Sequence, residues 1–300
     1  MADDPSNMAG TPGAEGATTQ PEHPFRKVVR RFFRRPMGVF GAVVVLAFIL
    51  LALAAPLVAP YDPIATDWGA LRAAPSAAHL FGTDDLGRDN FSRVIWGTRI
   101  SMQAGVLSIL IAMLIGVPLG LCSGYYRGPI DQLIMRVTDA WLAFPFLILA
   151  IGLMAILGAS LTNATLAIGL GATPTFIRLT RGVVMSAREE DYVLGAQAIG
   201  ASDLRIMAFY LLPNIFSPIL VQATVSIPTA IIAEAILSFL GLGVQPPQPS
   251  WGTMLNTAQQ FLETAPWMAW WPGMAIFILA LSFNLAGDGL RDALDPKDYS

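Results

Sequence analysis

Few side chains in this sequence have the types and spacing that catalytic or metal chemistry requires. Its one cysteine, Cys122, lies in an apolar run, and its two histidines, His23 and His79, are far apart. One thiol excludes a disulfide within the chain, and this set has no metal-ligand spacing. The two lysines, Lys27 and Lys297, do not follow glycine, so the Gly-Lys-Ser/Thr phosphate loop is absent. We therefore predict no catalytic residue, no bound metal, no cofactor and no ATP hydrolysis in this chain.

Two carboxylates lie inside long apolar stretches, where ionisable residues are functional candidates. Asp139 and Glu234 either form interhelical polar pairs or line a pathway, and the sequence leaves both alternatives open. A membrane-embedded enzyme needs paired carboxylates, or histidine with serine, at one depth. Each carboxylate is alone in its stretch and neither histidine lies in one, so an enzyme is the weaker interpretation.

The elements that position these residues follow from composition. The 300 residues are 54% hydrophobic and 13% charged, with a mean hydropathy of +0.58. Soluble domains carry about 25% charged residues. We predict an all-α, polytopic membrane helix bundle, because a bilayer core needs about 20 helical residues per crossing. Its six transmembrane helices are expected at residues 37–60, 102–124, 134–157, 163–184, 215–242 and 268–288.

Lysine and arginine in the loops predict the orientation. With the N-terminus in the cytosol, fourteen of them lie inside, and four lie outside: Arg72, Arg88, Arg93 and Arg99. Both termini, including residues 289–300, are therefore predicted to be cytosolic. Residues 1–24 lack lysine and arginine and are rich in small residues, proline and glycine, which predicts a disordered cytosolic tail. Residues 25–36 are predicted to form a basic juxtamembrane segment that anchors this end of the chain on the inner side, with recognition of lipid headgroups as a minor additional role.

Two outer segments have distinct compositions. Residues 61–101 predict a turn and then a short amphipathic helix on the outer face, in which Phe91, Ile95 and Trp96 face lipid or protein. This segment either braces the bundle as a collar or contacts an extracytoplasmic partner. Residues 242–267 predict a proline-rich outer wall with a helix near 253–264, and Trp251 and Trp267 suit a membrane interface.

Residues 185–214 form the one long cytosolic loop. A helix over 186–199 is predicted to end at Gly200, which adopts a left-handed conformation. Ser202 is predicted to cap a second short helix that runs toward Pro213. Two helices joined by a tight turn, with small residues at the joint, indicate a docking element for a cytosolic partner. A passive channel does not need such an element.

Residues 192–214 resemble the EAA-loop motif of ABC importer permeases: Glu-Ala-Ala, three residues, Gly, then nine residues and Ile-x-Leu-Pro. Gly200, Ala196 and Leu212-Pro213 match it, whereas Leu194, Gly195 and Tyr210 depart from it. The sequence is similar to the C-type permease subunits of dipeptide, oligopeptide and nickel importers. Further segments carry this similarity: FGTDDLGRDNFSRVIWGTRIS (81–101), ILSFLGLGVQPPQPSWGTML (236–255) and NLAGDGLRDALDP (284–296).

The resemblance implies a type I ABC importer permease fold, with a permease domain over residues 97–288 that contains five of the transmembrane helices. It implies a heterodimer with a second permease subunit in the bacterial inner membrane. It also implies two ATP-binding subunits that hold ATP and magnesium, a periplasmic or lipid-anchored substrate-binding protein, and no nucleic acid. Peptides are the expected substrate. Nickel, opine-like conjugates and glutathione remain alternatives.

The same resemblance implies that residues 185–214 are the loop that couples the permease to the ATPases. Asp203 and Arg205 are expected to pair with charges on the ATPase, although an exposed pair contributes only about 0–1 kcal/mol. The expected contact residues are Ala196, Gln197, Ala198, Gly200, Ala201, Ser202, Asp203 and Arg205.

Overall fold

The computed structural model describes residues 24–294, and these contain helices and no strand. The predicted tail therefore lies outside the described residues, except for Pro24. The helices are α1 (Pro24–Phe33), α2 (Pro36–Leu53), α3 (Ala55–Val58), α4 (Asn90–Tyr126), α5 (Gly128–Leu142), α6 (Phe146–Leu157), α7 (Leu161–Ala187), α8 (Asp191–Ala198), α9 (Asp203–Arg205), α10 (Leu212–Phe239), α11 (Trp251–Ala258) and α12 (Trp267–Leu294). A π-helical turn, Ile206–Leu211, joins α9 to α10, and a 3₁₀ turn, Gln259–Phe261, follows α11.

Local capping sets several helix starts. The Asp89 carboxylate accepts the Ser92 backbone N–H at 2.8 Å and begins α4. The Ser160 hydroxyl accepts from the Asn163 N–H at 3.1 Å at the start of α7. Ser250 forms a capping box with Thr253 at the start of α11. Each cap satisfies a helix N–H that has no partner within the helix.

Length and apolarity alone identify four spanning helices among the described residues: Pro36–Val58, Asn90–Tyr126, Asp203–Phe239 and Trp267–Leu294. The pair α5 and α6 is apolar enough for a fifth span, but it is bent by 87° at residues 143–145, so it is either one broken span or a re-entrant loop. The bend is where Pro145 restricts the backbone of the residue before it. Helix α7 is long enough at 27 residues, but its threonines and arginines make it less apolar than the four. The six predicted spans overlap these six elements, but length and apolarity identify only four or five of them as spans, and residues 134–157 are bent instead of forming one straight helix.

Helix α4 corrects one prediction about the outer segment. Residues 90–101 are not a separate amphipathic helix on the surface, because they form the first turns of the 37-residue helix α4. Trp251 is also not at the membrane interface. Its indole is fully buried and donates to the Val94 carbonyl at 3.1 Å, beside Gly97. This contact holds the start of α4 against α11. At the other end of the chain, residues 289–294 continue α12.

Close packing of α4 on α7 forms the centre of the bundle. Gly116, Gly120 and Gly124 recur every fourth residue on the α4 face toward α7. A Cβ at Gly120 would lie 2.6 Å from the Thr180 Cβ. Lipid tails are as apolar as the helix side chains, so no hydrophobic effect drives two membrane helices together. Their association depends on close van der Waals packing, which small residues allow. This stripe therefore sets the distance between α4 and α7.

Candidate functional site

The turn after α8 has the geometry of a Schellman motif. Gly200 has a φ of +77°, the Ala201 N–H donates to the Ala196 carbonyl at 3.0 Å, and the Gly200 N–H donates to Gln197 at 2.9 Å. These two bonds satisfy carbonyls at the end of α8. The left-handed conformation predicted for Gly200 is confirmed.

The second half of the segment differs from the prediction. Ser202 occupies the N-cap position of α9, but its side chain makes no capping hydrogen bond. The predicted second helix is also not a separate connector. Asp203–Phe239 runs without a break through the π-helical turn into α10. Pro213 does not end it, because the residue lies in the first turn of α10, where proline is tolerated. A displacement of the Gly200 turn therefore acts directly on a transmembrane helix.

The segment has one buried face and one exposed face. Val193 and Ala196 on α8 pack into the core with Ile206 and Leu211. Ala196 is only 3% exposed, so its small side chain serves packing within the chain and is not available to a partner. Of the other predicted contact residues, Ala201 is half-buried, and the exposed ones are Gln197, Ala198, Gly200, Ser202, Asp203 and Arg205.

Sequence reasoning missed the large apolar residues on the exposed face. Ile199, Leu204 and Phe209 are 79%, 74% and 75% exposed, respectively. Leu204 and Phe209 also border a groove of about 820 Å³ beside Arg205. We call Ile199, Leu204 and Phe209 the exposed apolar patch. Residues 185–214 are predicted to be cytosolic, and exposed apolar residues on a water-facing loop are typical of an interaction site. The available signal was the presence of large apolar residues in a loop that is predicted to be cytosolic.

Polar contacts attach this segment to the neighbouring end of α4. The Tyr125 hydroxyl donates to the Asp203 carboxylate at 2.9 Å, so Asp203 already has a partner within the chain. The Arg188 guanidinium donates to the Tyr125 carbonyl at 2.5 Å, and that of Arg127 pairs with Glu189 at 2.7 Å. Together these contacts join the Gly200 turn to α4 as well as to α10. Asp203 remains exposed, so pairing of its carboxylate with a charge on an ATPase stays a prediction.

The two candidate carboxylates have different environments. Asp139 pairs with Arg178 at 2.7 Å, and both side chains are about half exposed. The sequence did not indicate a second pair between the same helices, in which Asp131 accepts two bonds from Arg181, at 2.6 and 2.8 Å. These are interhelical pairs between α5 and α7, which is one of the two alternatives stated for Asp139.

Glu234 is fully buried between α4 and α10. Its carboxylate accepts from the Ser101 hydroxyl at 2.9 Å and from the Ser238 hydroxyl at 2.6 Å. Ser101 and Glu234 are 133 positions apart in the sequence. The hydrogen bond between Glu234 and Ser101 joins α10 to α4, which is the interhelical alternative stated for this carboxylate. The described residues contain no group of three or more histidine, cysteine or acidic side chains placed to hold a metal ion.

The outer segment packs onto the ends of the bundle. Arg88 donates to Asp84 at 2.7 Å, and the guanidinium of Arg93 donates to the Pro63 carbonyl at 2.8 Å. The Phe81 ring stacks on Trp271 of α12, with their centroids 3.8 Å apart. These contacts are those expected of the collar alternative.

Comparisons with known proteins agree with this architecture. Residues 116–297 match the family described as the binding-protein-dependent transport system inner membrane component. Residues 23–75 match the N-terminal transmembrane domain of oligopeptide transport permease C. Solved inward-facing structures of a methionine ABC transporter superpose with TM-scores of 0.54 and 0.56, at 19% and 18% identity, over 68% of this chain and 97–98% of theirs. The fold is that of a type I ABC importer permease.

Curated relatives extend over nearly the whole chain. A dipeptide transport system permease of Alkalihalophilus pseudofirmus is 45% identical over 91% of this chain and 90% of its own. A glutathione transport system permease of Pectobacterium atrosepticum is 46% identical over 91% of each chain. A dipeptide transport system permease of Haemophilus influenzae is 43% identical over 97% of this chain and 99% of its own. The chain belongs to the family of inner-membrane permease components of binding-protein-dependent ABC transport systems.

Proposed function

We propose that this permease subunit forms half of a pathway that imports di- or oligopeptides. It pairs with a second permease subunit, and two separate ATP-binding subunits hold ATP and magnesium and hydrolyse the ATP. An extracytoplasmic binding protein delivers the substrate. Both termini lie in the cytosol, in line with the positive charge of the inner loops. The relatives named for dipeptide transport support the choice of peptides.

The observation that carries the proposal is the exposed apolar patch around the Gly200 turn. Leu204 follows Asp203, whose carboxylate accepts a hydrogen bond from Tyr125 at the end of α4. Leu204 also belongs to the continuous helix Asp203–Phe239, which includes α10. An ATPase that binds the patch holds both helices at once. Closure of the two ATPases then displaces the turn and tilts α4 and α10 together, which opens the pathway alternately to either side.

A second candidate substrate is glutathione, because a glutathione transport permease is 46% identical to this chain. Glutathione is itself a small peptide-like molecule. The two candidates share the coupling mechanism, so the substrate is tested separately, by the ligand that the cognate binding protein retains on purification.

Binding of the ATP-binding subunits to the purified pair of permeases tests the role of the patch. Burial of a leucine side chain contributes about 1.5–3 kcal/mol, which corresponds to about 10–100-fold in affinity. We therefore expect Leu204→Glu to weaken binding by that factor, while the permease still inserts and pairs with its partner. Leu80→Glu is the matched control, because Leu80 is 57% exposed on the outer segment. Equal affinity of the two variants would show that the patch is not the ATPase contact.

A further inference from the structure

A cavity of about 400 Å³ lies among α4, α6, α7 and α10, and neither Asp139 nor Glu234 lines it. Its apolar wall includes Ile109, Phe146 and Ile168. On α10, the cavity is lined by Gln222, Ser226 and Thr229. These residues are spaced four and three positions apart and so lie on one face of the helix. We call them the α10 polar stripe. Among the described residues that line this cavity, none is charged. Its size is that of a small-ligand site.

Two threonine hydroxyls on the cavity wall lack the carbonyl partner that six other helical threonines have. Six threonines in the helices donate to the carbonyl four residues earlier: Thr98, Thr138, Thr165, Thr173, Thr224 and Thr257. Thr229 on the stripe and Thr175 on α7 make no hydrogen bond within the described part of the chain. Gln222 donates once, to Ser226 at 3.0 Å, and its second N–H and its carbonyl oxygen make none there.

Thr175 and Thr229 are exposed, so both hydroxyls are accessible from the cavity. Hydroxyl and amide groups in an otherwise apolar cavity favour a ligand that offers hydrogen-bond partners over an apolar one. A peptide backbone offers one donor and one acceptor per residue, which complements an amide and neighbouring hydroxyls. The absence of lining charges favours the uncharged parts of such a ligand.

We propose that this cavity is a substrate subsite for neutral peptide groups. The α10 polar stripe and Thr175 hydrogen-bond the backbone amides of the passing peptide. Ile109, Phe146 and Ile168 contact an apolar side chain of the peptide, and its charged termini stay in water. This subsite rests on the proposed peptide import. Its specificity-determining residues are the α10 polar stripe and Thr175, and they do not include Asp139 or Glu234.

Two threonines on α10 provide a matched test in the reconstituted complex with its binding protein. The Thr229 hydroxyl is free toward the cavity, whereas that of Thr224 bonds to the Leu220 carbonyl at 3.0 Å, and Thr224 does not line the cavity. We expect Thr229→Val to lower dipeptide uptake about fivefold, the effect of one lost hydrogen bond. ATP hydrolysis stimulated by the loaded binding protein should remain, and Thr224→Val should change neither. Equal uptake by the two variants overturns the subsite.

Thiol labelling tests whether the cavity is open to substrate. In a Cys122→Ser background, Thr229→Cys should react with a small water-soluble thiol reagent in the assembled complex, and transported dipeptide should slow the reaction. A thiol that stays unreactive with and without ATP would show that the partner permease seals the cavity, and this overturns the subsite alone. A wild-type complex whose ATPase activity does not respond to loaded binding protein would instead overturn the proposed function, and the subsite with it.

Discussion

Replacement of Gly200 by valine tests whether coupling depends on the left-handed backbone conformation of the turn. The φ of +77° is left-handed, and an L-residue with a Cβ is destabilised there by roughly 1–2 kcal/mol, most of all a β-branched one. A Cβ at Gly200 meets no atom within 4 Å, so the cost comes from the backbone and not from a clash within the chain. The chain can relieve this strain only by breaking the two hydrogen bonds that close α8.

A penalty of one to two kcal/mol lowers the ratio of the native turn to its opened form by about 5–30-fold. We therefore expect Gly200→Val to lose most of the ATP hydrolysis that loaded binding protein stimulates, and most of the uptake. Membrane insertion and pairing with the second permease should be unchanged, because the turn lies outside the spans. The assay is ATPase activity of the reconstituted complex with and without loaded binding protein.

Two controls separate the possible causes. Gly200→Asn should keep most of the stimulation, because asparagine tolerates the left-handed region far better than valine does. Thr162→Val, in the first turn of α7 at the opposite end of the bundle, should have no effect. Full stimulation in Gly200→Val would refute the coupling role of this turn, and equal losses in the valine and asparagine variants would refute the argument from φ.

Two further predictions concern orientation and the buried carboxylate. Reporter domains fused near Gly158 and near Gln259 should both report the extracytoplasmic side, since the inner loops carry the positive charge, and a cytosolic signal at either position would contradict the topology. Glu234→Ala should lower the thermal unfolding temperature of the permease, because the Ser101 and Ser238 hydroxyls lose their acceptor and unpaired buried polar groups cost about 1–3 kcal/mol each. Glu234→Gln keeps an acceptor oxygen, so an equal loss in both variants would count against this explanation.

Sequence alone determined the features that depend on local chemistry. Long apolar runs predicted where the spanning helices lie, because transfer into lipid depends on the composition of each segment, and the charge of the loops gives an orientation that stays a prediction. The left-handed turn at Gly200 was also predictable, since glycine adopts positive φ without steric cost. The motif around it indicated the family before any contact was known.

Only the tertiary structure decided which face of each element meets protein. In lipid, the outward and inward faces of a helix are both apolar, so the hydrophobic pattern cannot separate them. Outside the spans, residue type did not decide burial either: Ala196 packs inside while the larger Ile199 is exposed, and Trp251 is buried against α4. The Tyr125–Asp203 and Ser101–Glu234 bonds were not predictable because they join residues 78 and 133 positions apart. Such contacts depend on how the helices are arranged around one another, and no single segment carries that information.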